Sequence, residues 1–306
     1  MSESTFRILS IDGGGIRGCY PATMLQLIED RLDIDVRQRF DLIAGTSTGA
    51  IIAAGLAVSR SPGELLELYR DKGASIFGTR KRSLYPARVK PGFHSAYEKA
   101  PLQDILQQEL GSVTLGEIEQ PLIIPATDVG NGGVHVFKSG YDKEFTRDKS
   151  VPLTDAVLAS CSAPTYFDPT KVNNYLLADG GVWANNPTLI AIVDAQYRLG
   201  ASLDDIRVVS LGTGHSKVAY GTDESGPWGL MNGWGGKEFI SFLLSLQSQS
   251  INNYSKLILR ENLLRLDFES DLPLPLDDHA TVSDLVARAD KDFTYQSEAI
   301  RNFLSP

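Results

Sequence analysis

Short apolar runs alternate along this chain with longer segments whose apolar residues recur every three to four positions. The run FRILSI (6–11) is compact and β-prone, and glycines follow it at once, so it predicts a first strand. Pro21 suits the first turn of a helix. In the following ATMLQLIEDRL, Met24, Leu25, Leu27, Ile28 and Leu32 share one helical face. FDLIAG (40–45) predicts a second, fully buried strand, and AIIAAGLAV (50–58), apolar all round, a central buried helix. PGELLELYRDKG reads as an amphipathic helix closed by Gly73, 74–100 as irregular, basic and aromatic, and PLQDILQQEL as helical again. Further strands are expected at 121–129, 133–138, 175–179 and 206–211, with helices at 152–160 and 187–199. From about 236 to 306 the pattern is mostly helical. Such alternation predicts an α/β fold with helices on both faces of the sheet. No repeat, linker or low-complexity block divides the chain, so 1–306 reads as a single domain.

Composition narrows the class. With 42% hydrophobic and 22% charged residues, 306 residues can bury a sizeable core. The net charge of −9 argues against broad binding to a nucleic acid polymer. Two cysteines, Cys19 and Cys161, lack metal-ligand spacing and read as buried structural thiols in a reducing compartment. MSESTFR has neither the basic nor the apolar region of a signal peptide, and no run approaches a membrane span. A cytoplasmic protein, meeting membranes only from the surface, is the expectation.

Two glycine-rich turns carry the candidate chemistry. DGGGIRG (12–18) follows the first strand, and its Gly13, Gly15 and Gly18 satisfy the spacing of a dinucleotide-binding loop. That fold needs an acid at the tip of the second strand, whereas the second strand here ends in AGTSTG. GTSTG (45–49) matches G-x-S-x-G between a buried strand and a buried helix, a setting that projects the Ser47 hydroxyl above the sheet edge. A nucleophilic serine needs oxyanion donors and a proton acceptor. The backbone amides of Gly13, Gly14 and Gly15 are candidates for the first. Arg17 either adds positive charge there or forms a surface ion pair. In LLADGGVWANNP (176–187), Asp179 stands at a strand tip with backbone room around it, though Asp-Gly is also a common turn.

DGGGIRG, GTSTG and DGG (179–181), in this order, together with SCSAPTYFDP (160–169) and NNP (185–187), resemble the patatin-like phospholipases over about residues 6–214. The resemblance implies a three-layer α/β/α fold with a mainly parallel central sheet. It implies Ser47 as nucleophile, Asp179 as general base without a histidine, and an oxyanion hole from the Gly13–Gly15 amides with Arg17 nearby. No cofactor or metal is called for, because amides stabilise the charge. The implied substrate is a membrane phospholipid, cleaved at a fatty-acyl ester through a covalent acyl-enzyme. Compact bacterial chains with these motifs include anti-phage effectors switched on by a cyclic nucleotide, so a cyclic-nucleotide activator and a homo-oligomer are compatible partners. For the dyad to work, burial must raise the pKa of Asp179 above its ordinary value near 3.9.

Two other readings stay open on the residues alone. One is an α/β-hydrolase esterase with a Ser47–Asp179–His215 triad, since the chain order fits that class. The other is a non-enzymatic module whose glycine loop holds a nucleotide phosphate. Two surface features also carry two readings each. WGLMNGWGGKEFISFLLSL (228–246) reads as a lid or membrane-contacting element, or as a helix packed on the core. Arg80, Lys81, Arg82, Arg88 and Lys90 read as a headgroup-binding patch or as a solvated loop.

Overall fold

The computed structural model describes residues 5–78, 95–216 and 237–305. The basic cluster at Arg80–Lys90 and the tryptophan-bearing stretch 228–236 lie outside the described residues. Strands β1 (Phe6–Ile11), β2 (Leu42–Gly45), β3 (Leu122–Asp128), β4 (Gly133–Lys138), β5 (Thr170–Val172), β6 (Tyr175–Asp179) and β7 (Ile206–Leu211) fall where apolar runs lie between turn residues, β5 being too short to read beforehand. Three more follow: β8 (His215–Ser216), β9 (Leu263–Leu266) and β10 (Glu269–Ser270). The main sheet runs β5-β6-β3-β2-β1-β7-β9, and β4 also pairs with β3. Its β3-β2-β1-β7-β9 part is parallel, and β4, β5 and β6 pair antiparallel.

The helices are α1 (Cys19–Leu32), α2 (Val36–Arg39), α3 (Thr48–Ala57), α4 (Pro62–Glu67), α5 (Gly73–Gly78), α6 (Ala100–Leu110), α7 (Leu153–Ser160), α8 (Gly181–Ala184), α9 (Thr188–Leu199), α10 (Lys237–Leu259) and α11 (Val282–Leu304). Alternation along the strands splits the core into two layers. Ile8, Leu42 and Ala44 pack with Ala191, Ile192 and Ala195 of α9 and Leu259 of α10. Leu9, Ile11 and Ile43 face the other way, against α1, α3, α7 and α11. This is the expected three-layer arrangement of helices around a mainly parallel sheet.

Two expectations change. Gly73 does not close a helix: a π-helical turn (Leu68–Lys72) leads into α5, which begins at Gly73. A Cβ at Gly73 would lie 2.6 Å from Ile16 Cδ1, so close packing, not helix termination, explains the glycine. The region after 236 is not purely helical either. LLRL forms β9, parallel to β7 at the sheet edge, and an apolar run this short carries no periodicity that separates strand from helix.

Candidate active site

β2 stops at Gly45 and α3 starts at Thr48, leaving two residues to turn the chain. Ser47 takes φ 54, ψ −120, a conformation that disfavours any side chain bearing a Cβ. Hydrogen bonds hold it there. The Ser47 amide donates to Ser160 Oγ at 2.9 Å, and Ser160 Oγ donates to the Pro125 carbonyl at 2.7 Å. Thr46 Oγ1 donates to the Ala184 carbonyl at 2.7 Å. A Cβ on Gly45 would sit 2.1 Å from the Gly49 carbonyl oxygen, and one on Gly49 2.3 Å from that of Ile11. The flanking glycines of GTSTG thus let strand, turn and helix touch backbone to backbone.

Asp179 reaches the same point from the opposite direction. β2 pairs with Leu122 and Ile123 of β3, and antiparallel β6 pairs with Ala126–Asp128. Ile43 N–H binds the Pro121 carbonyl and Val129 N–H binds that of Leu176, whereas Ser139 N–H binds that of Leu122. Odd-numbered β3 residues therefore face β2 and β6 alike, and even-numbered ones face β4. β2 and β6 share one edge of β3 end to end, so their C-terminal tips, with Ser47 and Asp179, meet in the gap. A Cβ on Gly180 would lie 2.3 Å from the Pro125 carbonyl oxygen, so only glycine fits where the chain leaves that gap.

Asp179 is 5% exposed. Burial pushes its pKa up to about 6, while hydrogen bonds from the Ser47 hydroxyl and the Gly181 amide (2.7 Å to Oδ1) pull the other way. This matches the expectation that burial raises the Asp179 carboxyl above its ordinary value. Cys161, one of the two buried thiols, lines the same cavity, and burial holds its pKa well above the ordinary value.

The glycine loop closes the third side, with two departures from expectation. The Gly13 amide is already used: it donates to the Asn185 carbonyl at 3.0 Å. Gly14 and Gly15 line the cavity beside Ser47 and Asp179, and among the described hydrogen bonds neither amide has an acceptor. Gly15 has φ 58, and a Cβ there would lie 2.2 Å from the Leu276 carbonyl oxygen. Arg17 is neither at the surface nor in the Ser47 cavity. It is buried, donating to the carbonyls of Gly14 (Nε, 3.2 Å) and Gly214 (Nη1, 2.9 Å), and burial lowers its pKa to about 10. It remains a cation at neutral pH and holds the loop from behind.

His215 is not delivered to Ser47. It lines a separate polar cavity, with Nδ1 3.9 Å from Asp267 Oδ2 and Nε2 3.6 Å from Glu269 Oε2. Among the described residues no histidine lines the Ser47 cavity, so the triad is not assembled.

Sequence reasoning missed the support beneath the loop. Arg265, on β9, makes a two-pronged contact with Asp12 (2.9 Å to Oδ1, 2.7 Å to Oδ2) and another with Asp267 Oδ2 at 2.7 Å. Asp267 in turn accepts from the Gly214 amide at 2.9 Å. Burial raises the pKa of Asp12 despite Arg265, whereas Arg265 holds that of Asp267 low despite its burial. Only the aspartate preceding three glycines was visible beforehand, and nothing linked it to an arginine 253 positions away. Removing the cation strands the buried carboxylate of Asp12 and the half-buried one of Asp267. Arg265→Met is expected to lower unfolding free energy by about 3 kcal/mol or more, measured by denaturant unfolding at pH 7.

The cavity itself holds about 280 Å³. Its polar end is Ser47, Asp179, Gly14 and Gly15, and its walls include Ile51, Leu68, Phe77, Leu102, Tyr166 and Phe167. Ile240, Leu243 and Leu244 of α10 complete it, so the described part of the 228–246 stretch is a cavity wall. Among the described residues no His, Cys, Asp or Glu side chains converge in a group of three or more that could hold a metal ion, and no helix is long and apolar enough to cross a membrane.

The family model for patatin-like phospholipases matches residues 9–192, which include Gly13–Gly15, Ser47 and Asp179. The chain belongs to the patatin-like phospholipase family. As a member it is a lipid-hydrolysing enzyme. It is similar to a cGAMP-activated phospholipase of Vibrio cholerae, 32% identical over 344 residues, covering 98% of this chain and 95% of that one. A cGAMP-activated phospholipase of Pseudomonas aeruginosa is 30% identical over 268 residues (86% and 78%). A cUMP-AMP-activated phospholipase of Escherichia coli is 32% identical over 219 residues (70% and 66%). The crystal structure of VipD from Legionella pneumophila shares the fold, with a TM-score of 0.51 at 13% identity, covering 98% of this chain and 67% of that one. The patatin-like match ends before β7 and β9, although both belong to the same sheet and β9 carries Arg265.

Proposed function

We propose that the protein cleaves fatty-acyl esters of membrane phospholipids with Ser47 as nucleophile and Asp179 as general base. The observation that carries this reading is a serine held at φ 54 beside a buried carboxylate, at the polar end of an apolar cavity. The acyl chain lies along the apolar walls. Ser47 Oγ adds to the ester carbonyl as its proton passes to Asp179, and the Gly14 and Gly15 amides receive the oxyanion. Collapse expels the lysolipid oxygen, which takes the proton back from Asp179. Water then attacks the acyl-serine, giving its proton to Asp179, and collapse returns a proton to Ser47 as the fatty acid leaves. Gly13 is not an oxyanion donor in this scheme, and Arg17 is a positioning residue that orients Gly14 through its carbonyl.

Incubation with phospholipid vesicles followed by lipid analysis is expected to show free fatty acid and lysophospholipid. Absence of both from every phospholipid offered, with cyclic GMP-AMP or cyclic UMP-AMP supplied as well as without, would refute the reading. The base must be ionised, so activity should rise with pH through about 6 and then level off. From pH 7 to pH 5 a roughly tenfold fall in kcat/KM is expected on a soluble ester, which separates enzyme titration from vesicle charge.

The names of the relatives, cGAMP-activated and cUMP-AMP-activated phospholipases, support a cyclic-nucleotide activator, and a role at the inner membrane surface in anti-phage defence is part of the same proposal. An unregulated lipid hydrolase in the cytoplasm would attack its own cell, which gives a switch a physical motive. Fatty-acid release measured with and without cyclic GMP-AMP and cyclic UMP-AMP tests this. Stimulation is expected, and full activity without either would remove the switch.

A further inference from the structure

α10 turns Leu244 and Leu259 inward, as a surface helix should, but it also buries a polar stripe and leaves an apolar one exposed. Such a helix ordinarily turns its apolar stripe inward. Here Ser241, Ser245, Ser248 and Asn252 face inward, onto the polar cavity behind the glycine loop. Leu243, Leu246, Tyr254, Leu257 and Ile258 are exposed, Leu257 at 75%. At 100° per residue these five fall within an arc of about 120°, and no charged residue shares it. The helix is 23 residues long, about 35 Å, and packs on α8 and α9, and Gln247, within the same arc, accepts from the Asn186 amide at 2.9 Å.

We propose that this face of α10 is the surface that seats the enzyme on a lipid bilayer, an inference that rests on the phospholipid reading above. Continuity with the cavity selects the occupant. Leu243 is both a wall of the Ser47 cavity and 48% exposed, and Val182 of α8 is likewise a wall and 56% exposed. The exposed stripe therefore begins at the rim where an acyl chain has to enter. A bilayer against it delivers the chain into the cavity, whereas a second protein copy there would cover the entrance. Seated flat, the helix buries Leu243, Leu246, Tyr254, Leu257 and Ile258 among the acyl chains and keeps Ser241, Ser245, Ser248 and Asn252 on the protein side.

The test separates seating from chemistry. Leu246, Tyr254 and Leu257 do not line the Ser47 cavity, so the variant L246S/Y254S/L257S changes the face alone. Wild type and variant are compared by flotation with phosphatidylethanolamine–phosphatidylglycerol vesicles and by hydrolysis of p-nitrophenyl butyrate in solution. Vesicle binding is expected to weaken at least tenfold, with the soluble ester hydrolysed at the wild-type rate. Because the triple variant could misfold, exposed Ser250, central in the arc, is separately replaced by cysteine and labelled with bimane, whose emission should shift to the blue on vesicle addition. Unchanged vesicle binding by a folded variant, or no bimane shift, overturns the proposal. So does a wild-type dimer that L246S/Y254S/L257S dissociates without altering vesicle binding. Failure of the wild type to hydrolyse either substrate, with cyclic GMP-AMP or cyclic UMP-AMP supplied, would instead strike the catalytic reading, and the flotation and bimane results would still report on the face.

Discussion

Ser47→Ala is expected to lower kcat/KM for phospholipid hydrolysis on the order of 10⁴-fold or more while the fold persists. The size follows from the role: without the oxygen there is no acyl-enzyme, and what remains is binding plus two loop amides with no attacking atom in place. The fold should persist because what fixes the turn is backbone. The Ser47 amide keeps its bond to Ser160 Oγ, and alanine meets the same unfavourable φ as serine. Ser47→Gly should be equally inactive but more stable, by about 1–3 kcal/mol, because glycine accepts φ 54 without strain. Stability and activity thus move apart at one residue, as expected when strain is kept for a reactive side chain. Thermal melts of both variants beside fatty-acid release read the two effects together.

Asp179→Asn should be nearly as inactive, again on the order of 10⁴-fold, and more stable than wild type at neutral pH. Asparagine cannot take the serine proton, but its carbonyl oxygen can still accept from the Gly181 amide. The stability sign follows from the raised pKa. The fold favours the neutral carboxyl, so the penalty for the buried charge is absent below the ordinary value of 3.8, grows towards about 6 and is complete above it. A shift of that size corresponds to roughly 3 kcal/mol, and a permanently neutral amide escapes it. The variant should therefore melt a few degrees above wild type at pH 8, with the gap closing as pH falls through 6 towards 4. A variant less stable than wild type at pH 8 would mean that the carboxylate supports the fold, contrary to its burial.

The candidate site was legible in sequence because its parts sit on turns, where chemistry and backbone demand coincide. Glycines on both sides of Ser47 and after Asp179 mark places where a Cβ would strike neighbouring backbone, and the strands before them are short and apolar. The end-to-end meeting of β2 and β6 was not legible, because sharing an edge is decided by β3, and no local pattern shows which partner a strand edge will take. The same limit hid Arg265. Its strand looks like any short apolar run, and its value lies in reaching Asp12 across the sheet. Backbone hydrogen bonds were invisible as well, so three loop amides looked equivalent until Gly13 proved committed to Asn185. Arg17 read either as a charge beside the oxyanion or as a surface ion pair, because arginine is rarely buried, yet carbonyls of two glycine turns satisfy it inside the fold.

Peptide mapping by mass spectrometry after reaction with an alkyl fluorophosphonate tests the central claim most directly. The reagent reports an activated serine without requiring a vesicle or a known lipid. The adduct is expected on Ser47 alone, forming fast in wild type and at least a hundredfold more slowly in Asp179→Asn. An unlabelled Ser47 in folded protein supplied with cyclic GMP-AMP or cyclic UMP-AMP, or labelling unaffected by Asp179→Asn, would contradict the dyad.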